Sequence, residues 1–136
     1  MRTSLILVLV LAVGIAMGAV GNQALHAQPA SIKRTVLFKS EMTGVQGRDG
    51  YVMSVELAPL AQSGKHYHPG HEFNYVLEGE GVLEAEGEHP LPLKKGVSAH
   101  IEPRVVHNVK NTSAAPLRVV VFYVLERGQP VAILVN

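Results

Sequence analysis

Cysteine and tryptophan are absent from this 136-residue sequence, aromatic residues make up 5% of it and charged residues only 17%. Without cysteine there is no disulfide framework, no thiolate metal cluster and no cysteine nucleophile, so any bound metal must be held by nitrogen and oxygen donors. Lys and Arg number 12 against 11 Asp and Glu, a formal charge of +1, and no run of like charge is long enough to track a phosphate backbone. A nucleic-acid partner is therefore not expected. Helical periodicity is missing as well: past position 28 no long stretch keeps a 3.6-residue apolar repeat. The length allows one domain.

What is present begins with a leader. Met1-Arg2-Thr3 is a short positive start, Ser4 to Val20 is uncharged and apolar, and Ala24-Leu25-His26-Ala27 offers a small-residue exit before Gln28-Pro29. This pattern predicts an export signal over 1–27, cut after Ala27. The alternatives are an uncut N-terminal anchor, since the apolar run sits at the lower edge of a membrane span, or a buried core helix. In the first two cases the working protein is periplasmic or secreted and meets a membrane only through that segment. Without residues 1–27, which hold one arginine and no acid, the remaining 28–136 carries 11 basic and 11 acidic groups and no net charge. A compact chain of that size buries roughly 65% of its unfolded surface, enough for one unstapled core.

The remainder reads as β throughout. Tyr51, Met53, Val55 and Leu57 alternate with Val52, Ser54 and Glu56, and similar short runs follow at Phe73–Leu77, Val82–Ala85, Ala99–Ile101, Val105–Val109, Leu117–Leu125 and Val131–Val135. Turn signals such as Gln46-Gly47-Arg48-Asp49-Gly50, Pro69-Gly70 and Lys94-Lys95-Gly96 separate them. Closely spaced short strands of this kind predict an all-β sandwich or barrel. The run Val119 to Val124 is apolar on both faces, where a strand with one wet face would alternate, so something is expected to cover its outer side. A homodimer is expected there, or else the segment Thr35–Phe38 laid over it.

Six of the seven histidines fall between His66 and His107. In an extended chain His66 and His68 point to the same side and can aim two imidazoles at one point. Pro69-Gly70 then breaks the strand, and the carboxylate of Glu72 enters the next one, from which it can return to that point. His107 offers a third imidazole from another short strand. Three neutral imidazoles and one carboxylate suit Mn, Fe, Co, Ni, Cu or Zn. Taken alone, a His-x-His pair is also compatible with a solvated or core role. A barrel without metal would leave three histidines and a glutamate converging unpaired, at a cost of several kcal/mol.

The spacing His66-x-His68-x3-Glu72-x6-Gly79, followed by Gly96…Pro103-x3-His107-x3-Asn111, resembles the two conserved motifs of the cupins. The resemblance implies a double-sheet β jelly roll, a single small cupin barrel, whose mouth holds a divalent transition metal on His66, His68, Glu72 and His107. The sequence departs from the pattern in three places. Leu60 stands where a glycine usually lies six positions before the first histidine, Gly96 is one residue further from Pro103 than usual, and Val97 replaces a frequent Asp.

Asn74, two residues beyond Glu72 on the same face, is a candidate hydrogen-bond donor to a metal ligand or substrate, with core satisfaction as the alternative. His71 is a candidate substrate-facing group, the alternative being a solvated loop histidine. His100 is expected on an outer face, His89 in a solvated turn, and Tyr67 turned away from the metal. Asn111-Thr112-Ser113 matches a glycosylation sequon, read here as coincidence. The inward residues are otherwise mostly apolar, which suits a small aromatic or hydrophobic ligand. The sequence thus points to an exported metal-dependent oxygenase (a dioxygenase) or isomerase acting on a small molecule, the alternative being a non-catalytic barrel that binds or senses a metal or small ligand.

Overall fold

The computed structural model describes residues 31–135, and the expected leader at 1–27 lies outside them. Ten strands follow in chain order: β1 (Ile32–Glu41), β2 (Arg48–Leu57), β3 (His66–Tyr67), β4 (Gly70–Glu78), β5 (Glu80–Ala85), β6 (Leu91–Lys94), β7 (Ser98–Ile101), β8 (His107–Asn111), β9 (Leu117–Glu126) and β10 (Ile133–Leu134). They form two five-stranded sheets, ordered β1-β2-β9-β4-β7 and β10-β3-β8-β5-β6. Every pairing between named strands is antiparallel. This is the all-β, double-sheet jelly roll anticipated above.

The core forms where the period-two alternation of the long strands turns one face inward. On β9, Leu117, Val119, Val121, Tyr123 and Leu125 are all buried. They pack with Met53, Val55 and Leu57 of β2 and Val76 of β4, and across the barrel with Leu83 and Leu93. Burial of a side chain such as Leu57 or Leu117, at 1% and 0% exposure, contributes about 1.5–3 kcal/mol.

Among the described residues of one chain, nothing covers the outer face of β9 completely. Val120 and Val124 are half-buried and Phe122 is exposed. Thr35–Phe38 does not lie over it, contrary to one of the two covers expected. That segment belongs to β1, which continues the sheet edgewise by pairing with β2, with Thr35 opposite Ser54 and Phe38 opposite Val52. Backbone hydrogen bonding to the free edge of β2 satisfies the segment better than face-on packing, which would leave its N–H and C=O groups unpaired.

Two local features, one of backbone and one of side chain, brace the strands that carry Glu72 and His107. Gly70 opens β4 opposite Leu125 of β9, so close to it that a Cβ would lie 2.0 Å from the Val124 carbonyl oxygen. Asn111, at the end of β8, is buried and fully engaged: its Nδ2 donates to the carbonyls of Leu57, Ala58 and Ala115, and its Oδ1 accepts from the Ser113 backbone N–H and hydroxyl. Such a residue staples three chain segments and presents nothing for glycosylation, in line with the coincidental reading of the sequon.

Candidate metal centre

His66 opens β3 and His68 follows just beyond it, both buried, while Tyr67 between them is half-buried on the opposite side. Glu72 and Asn74 share the inward face of β4. His107 opens β8 directly opposite His66 in the β3–β8 pairing. One sheet thus supplies the three imidazoles and the other supplies the carboxylate. The rings cluster with centroids 4.3 to 5.1 Å apart. Each of the three histidines offers a ligand nitrogen within 4.8 Å of the others.

The second nitrogen of each ring decides what the first can do. Nδ1 of His66 lies 2.8 Å from the Gly64 carbonyl, Nδ1 of His107 lies 2.9 Å from the Val105 carbonyl, and Nδ1 of His68 meets the Val131 carbonyl. A carbonyl oxygen only accepts, so each Nδ1 carries the proton and each Nε2 presents a lone pair. Backbone carbonyls holding the outer nitrogen in this way orient metal-ligating imidazoles and raise their basicity.

Glu72 Oε2 sits 2.8 Å from Nε2 of His68 and 3.4 Å from Nε2 of His107. Nevertheless His68 Nε2 and Glu72 Oε2 are buried without a hydrogen-bond partner. With the rings neutral, acceptor faces acceptor in a dry interior, and a cation, whether a metal ion or a proton, shared between them removes the conflict. The other Glu72 oxygen accepts from Asn74 Nδ2 at 3.2 Å, which fixes the carboxylate plane. Orphaned inward acceptors and outward-anchored rings fit a divalent first-row ion held by His66, His68, Glu72 and His107.

Electrostatics follows from the same packing. Burial acts to raise the Glu72 pKa, but without a metal His107 and His68 can carry protons on Nε2 as well and donate them to Glu72, which holds the carboxyl well below the usual carboxylate range, so it is ionised. Burial, reinforced by the neighbouring imidazoles, pushes His66 down to about 4. Burial works against protonation of His107 too, yet the adjacent Glu72 carboxylate pulls it above its ordinary value. Burial first, and the Glu72 charge second, push the Tyr123 phenol upward, so it remains a neutral hydroxyl.

A cavity of about 40 Å3 adjoins the cluster, bounded by Glu72, Asn74, His66 and His107, by apolar Val55, Leu83 and Val119, and by Arg34 and Tyr123. The sequence reading missed the last two. Tyr123 was legible from parity with Leu117, Val119 and Val121, whereas Arg34 lies on a strand whose pattern carried no inward signal. Asn74 lines the cavity and donates Nδ2–H to Glu72 Oε1. His71 does not: the alternation that turns Glu72 inward turns His71 to the outer face, where it faces His100 and Glu102. His100 and His89 are exposed, as expected.

A double-sheet barrel with an imidazole-rich centre is a widely shared class. Within it, the cupin domain family matches residues 53–123, just over half of the sequence, and this chain belongs to that family. The chain is 30% identical over 71 residues to 3-hydroxyanthranilate 3,4-dioxygenase of Xanthomonas euvesicatoria pv. vesicatoria, covering 50% of this chain and 40% of that protein. It is 34% identical over 55 residues to an uncharacterized protein of Methanocaldococcus jannaschii, covering 40% and 42% of the two chains. It therefore spans well under half the length of these curated relatives. Among solved structures, an uncharacterized conserved protein with a double-stranded β-helix domain from Klebsiella pneumoniae superposes with a TM-score of 0.63 at 22% identity, over 83% of this chain and 93% of that one. The lyase DddQ of Ruegeria pomeroyi superposes with a TM-score of 0.60 at 20% identity, over 76% and 51%. Both likenesses concern the fold.

Proposed function

We propose that this chain is an exported metal-dependent cupin enzyme, an oxygenase or an isomerase, acting on a small oxygenated molecule. The observation that carries the reading is the donor set: three imidazoles lie together, each anchored from behind by a carbonyl, and the Glu72 carboxylate stands against two of them. The limited identity to 3-hydroxyanthranilate dioxygenases supports the oxygenase branch. A first-row ion held there by His66, His68, Glu72 and His107 would supply Lewis-acid chemistry or, with a redox metal, dioxygen chemistry.

The chain's own residues then shape what reacts. Arg34 brings a permanent cation to the cavity wall, which favours a substrate with a carboxylate, phenolate or enolate oxygen. Asn74 Oδ1 is buried and unpartnered, ready to accept a hydrogen bond from a substrate hydroxyl. Val55, Leu83 and Val119 keep the surroundings dry, which strengthens each of these contacts. The small cavity favours a second reading, a non-catalytic barrel that holds a metal with few waters, since about 40 Å3 leaves little room for a substrate beside an ion.

Elemental analysis of the purified chain, paired with oxygen uptake over 3-hydroxyanthranilate, catechols, flavonoids, thiols and 1,3-diketones, separates these readings. One metal equivalent is expected to disappear in His66→Ala/His107→Ala, and uptake with an anionic substrate should show a raised KM in Arg34→Ala. The same metal content in both proteins would overturn the centre. Full metal with no turnover on any class would leave the binding barrel as the function.

A further inference from the structure

On the opposite side of β4 from Glu72 lies a second group of metal-binding side chains: His71, His100 and Glu102, half-buried or exposed, each offering a ligand atom within 4.8 Å of the others. We propose that these three residues form a separate, surface-facing site for a divalent first-row transition ion such as zinc, bridging β4 and the edge strand β7.

The triangle is set by sheet register. Glu72 pairs with Ile101 and Phe73 with His100 across β4 and β7. Continuing that antiparallel register brings Glu102 opposite His71, and His100 lies on the same outward parity as Glu102. His71 Nδ1 stands 3.0 Å from His100 Nε2 and 3.5 Å from Glu102 Oε2. Ligands bound to zinc at about 2.0–2.1 Å in a tetrahedron are roughly 3.3 Å apart, so these spacings need only small side-chain adjustment.

The rings are also held in place. Phe73 stacks on His100 with centroids 4.4 Å apart and planes 11° from parallel, and His71 stacks on the same ring at 5.2 Å and 22°. Stacking on a neighbour reduces the rotamer freedom that ligation would otherwise have to remove. Two imidazoles and a carboxylate leave a fourth tetrahedral position open to water. That is the donor count of an open zinc site, and it matches the nitrogen and oxygen preferences of zinc and copper(II). The site shares no side chain with the interior centre.

Equilibrium dialysis of the untagged chain against Zn2+, with bound metal counted by elemental analysis, tests the site. Wild type is expected to hold two equivalents and His71→Ala/His100→Ala one, with Glu102→Gln retaining the second zinc more weakly. Near-UV circular dichroism confirms that the variants remain folded, which their exposed positions favour. Two equivalents in the double variant, or one in both proteins, would overturn the proposal. One in wild type and none in the variant would uphold this site while removing the interior centre, so the two readings fail separately.

Discussion

Leu60 occupies the left-handed region with φ of +60°, and its side chain is 76% exposed. This is the position at which the cupin pattern usually has glycine, and the backbone shows why: a Cβ in that conformation costs about 1–2 kcal/mol, while glycine costs nothing sterically. Leu60→Gly removes almost no buried surface, so after the added freedom of the unfolded chain it should stabilise by about 0.5–1 kcal/mol. A rise of a few degrees in thermal midpoint checks this, and a fall would refute it. His66 supplies a second prediction at this scale. Its folded pKa of about 4 lies below its ordinary value of 6.5, so between those values the unfolded state binds more protons. The metal-free protein should lose stability as pH falls from 6.5 towards 4, with Glu72 adding to the loss below its ordinary value of 4.5. His107, raised by Glu72, acts with the opposite sign above 6.5. Urea midpoints should therefore peak near pH 6.5, and a flatter acid limb in His66→Gln would locate the cause.

At the scale of elements, Gly70 is what allows β4 to begin its pairing tight against β9. Because a Cβ there would sit 2.0 Å from the Val124 oxygen, Gly70→Ala should cost more than about 3 kcal/mol or abolish folding, measured by urea unfolding and soluble yield. The runs read from the sequence fall on β2, β4, β5, β7, β8, β9 and β10. β6 was not read, its four residues including Pro92, β3 was read only through the His66–His68 spacing, and β1 was hidden because both its faces are largely exposed. The interior site was readable because its donors follow the chain rules of a strand, a break and another strand. Arg34 was not readable, since it reaches the cavity only through pairing of β1 with β2, a long-range contact that no local pattern encodes. His71 was misdirected for a related reason: adjacency to Glu72 in sequence means opposition in a strand.

For the whole molecule, one row of neighbouring outer-face residues, Phe38, Val52, Phe122, Phe73 and His100, runs across all five strands of the larger sheet. Phe38, Phe122 and Phe73 are 60%, 48% and 45% exposed, a contiguous apolar band of the kind that marks an association surface. We propose a homodimer in which a second copy covers the β1, β2 and β9 part of this face, leaving the His100 end at its rim. Light scattering at micromolar concentration should give twice the chain mass, and Phe122→Glu should give the monomer. A monomeric wild type would count against it. If 1–27 is an export signal, N-terminal sequencing of the protein recovered from a periplasmic or culture fraction should begin at Gln28.

The carbonyl that orients His68 belongs to Val131, 63 positions further along the chain, and β10 just beyond it holds β3 through the Ile133–Tyr67 and Leu134–His66 pairs. The three imidazoles therefore take up their common geometry only when β10 has docked, which makes the interior centre a reporter of the completed fold rather than of the β3–β8 pairing alone.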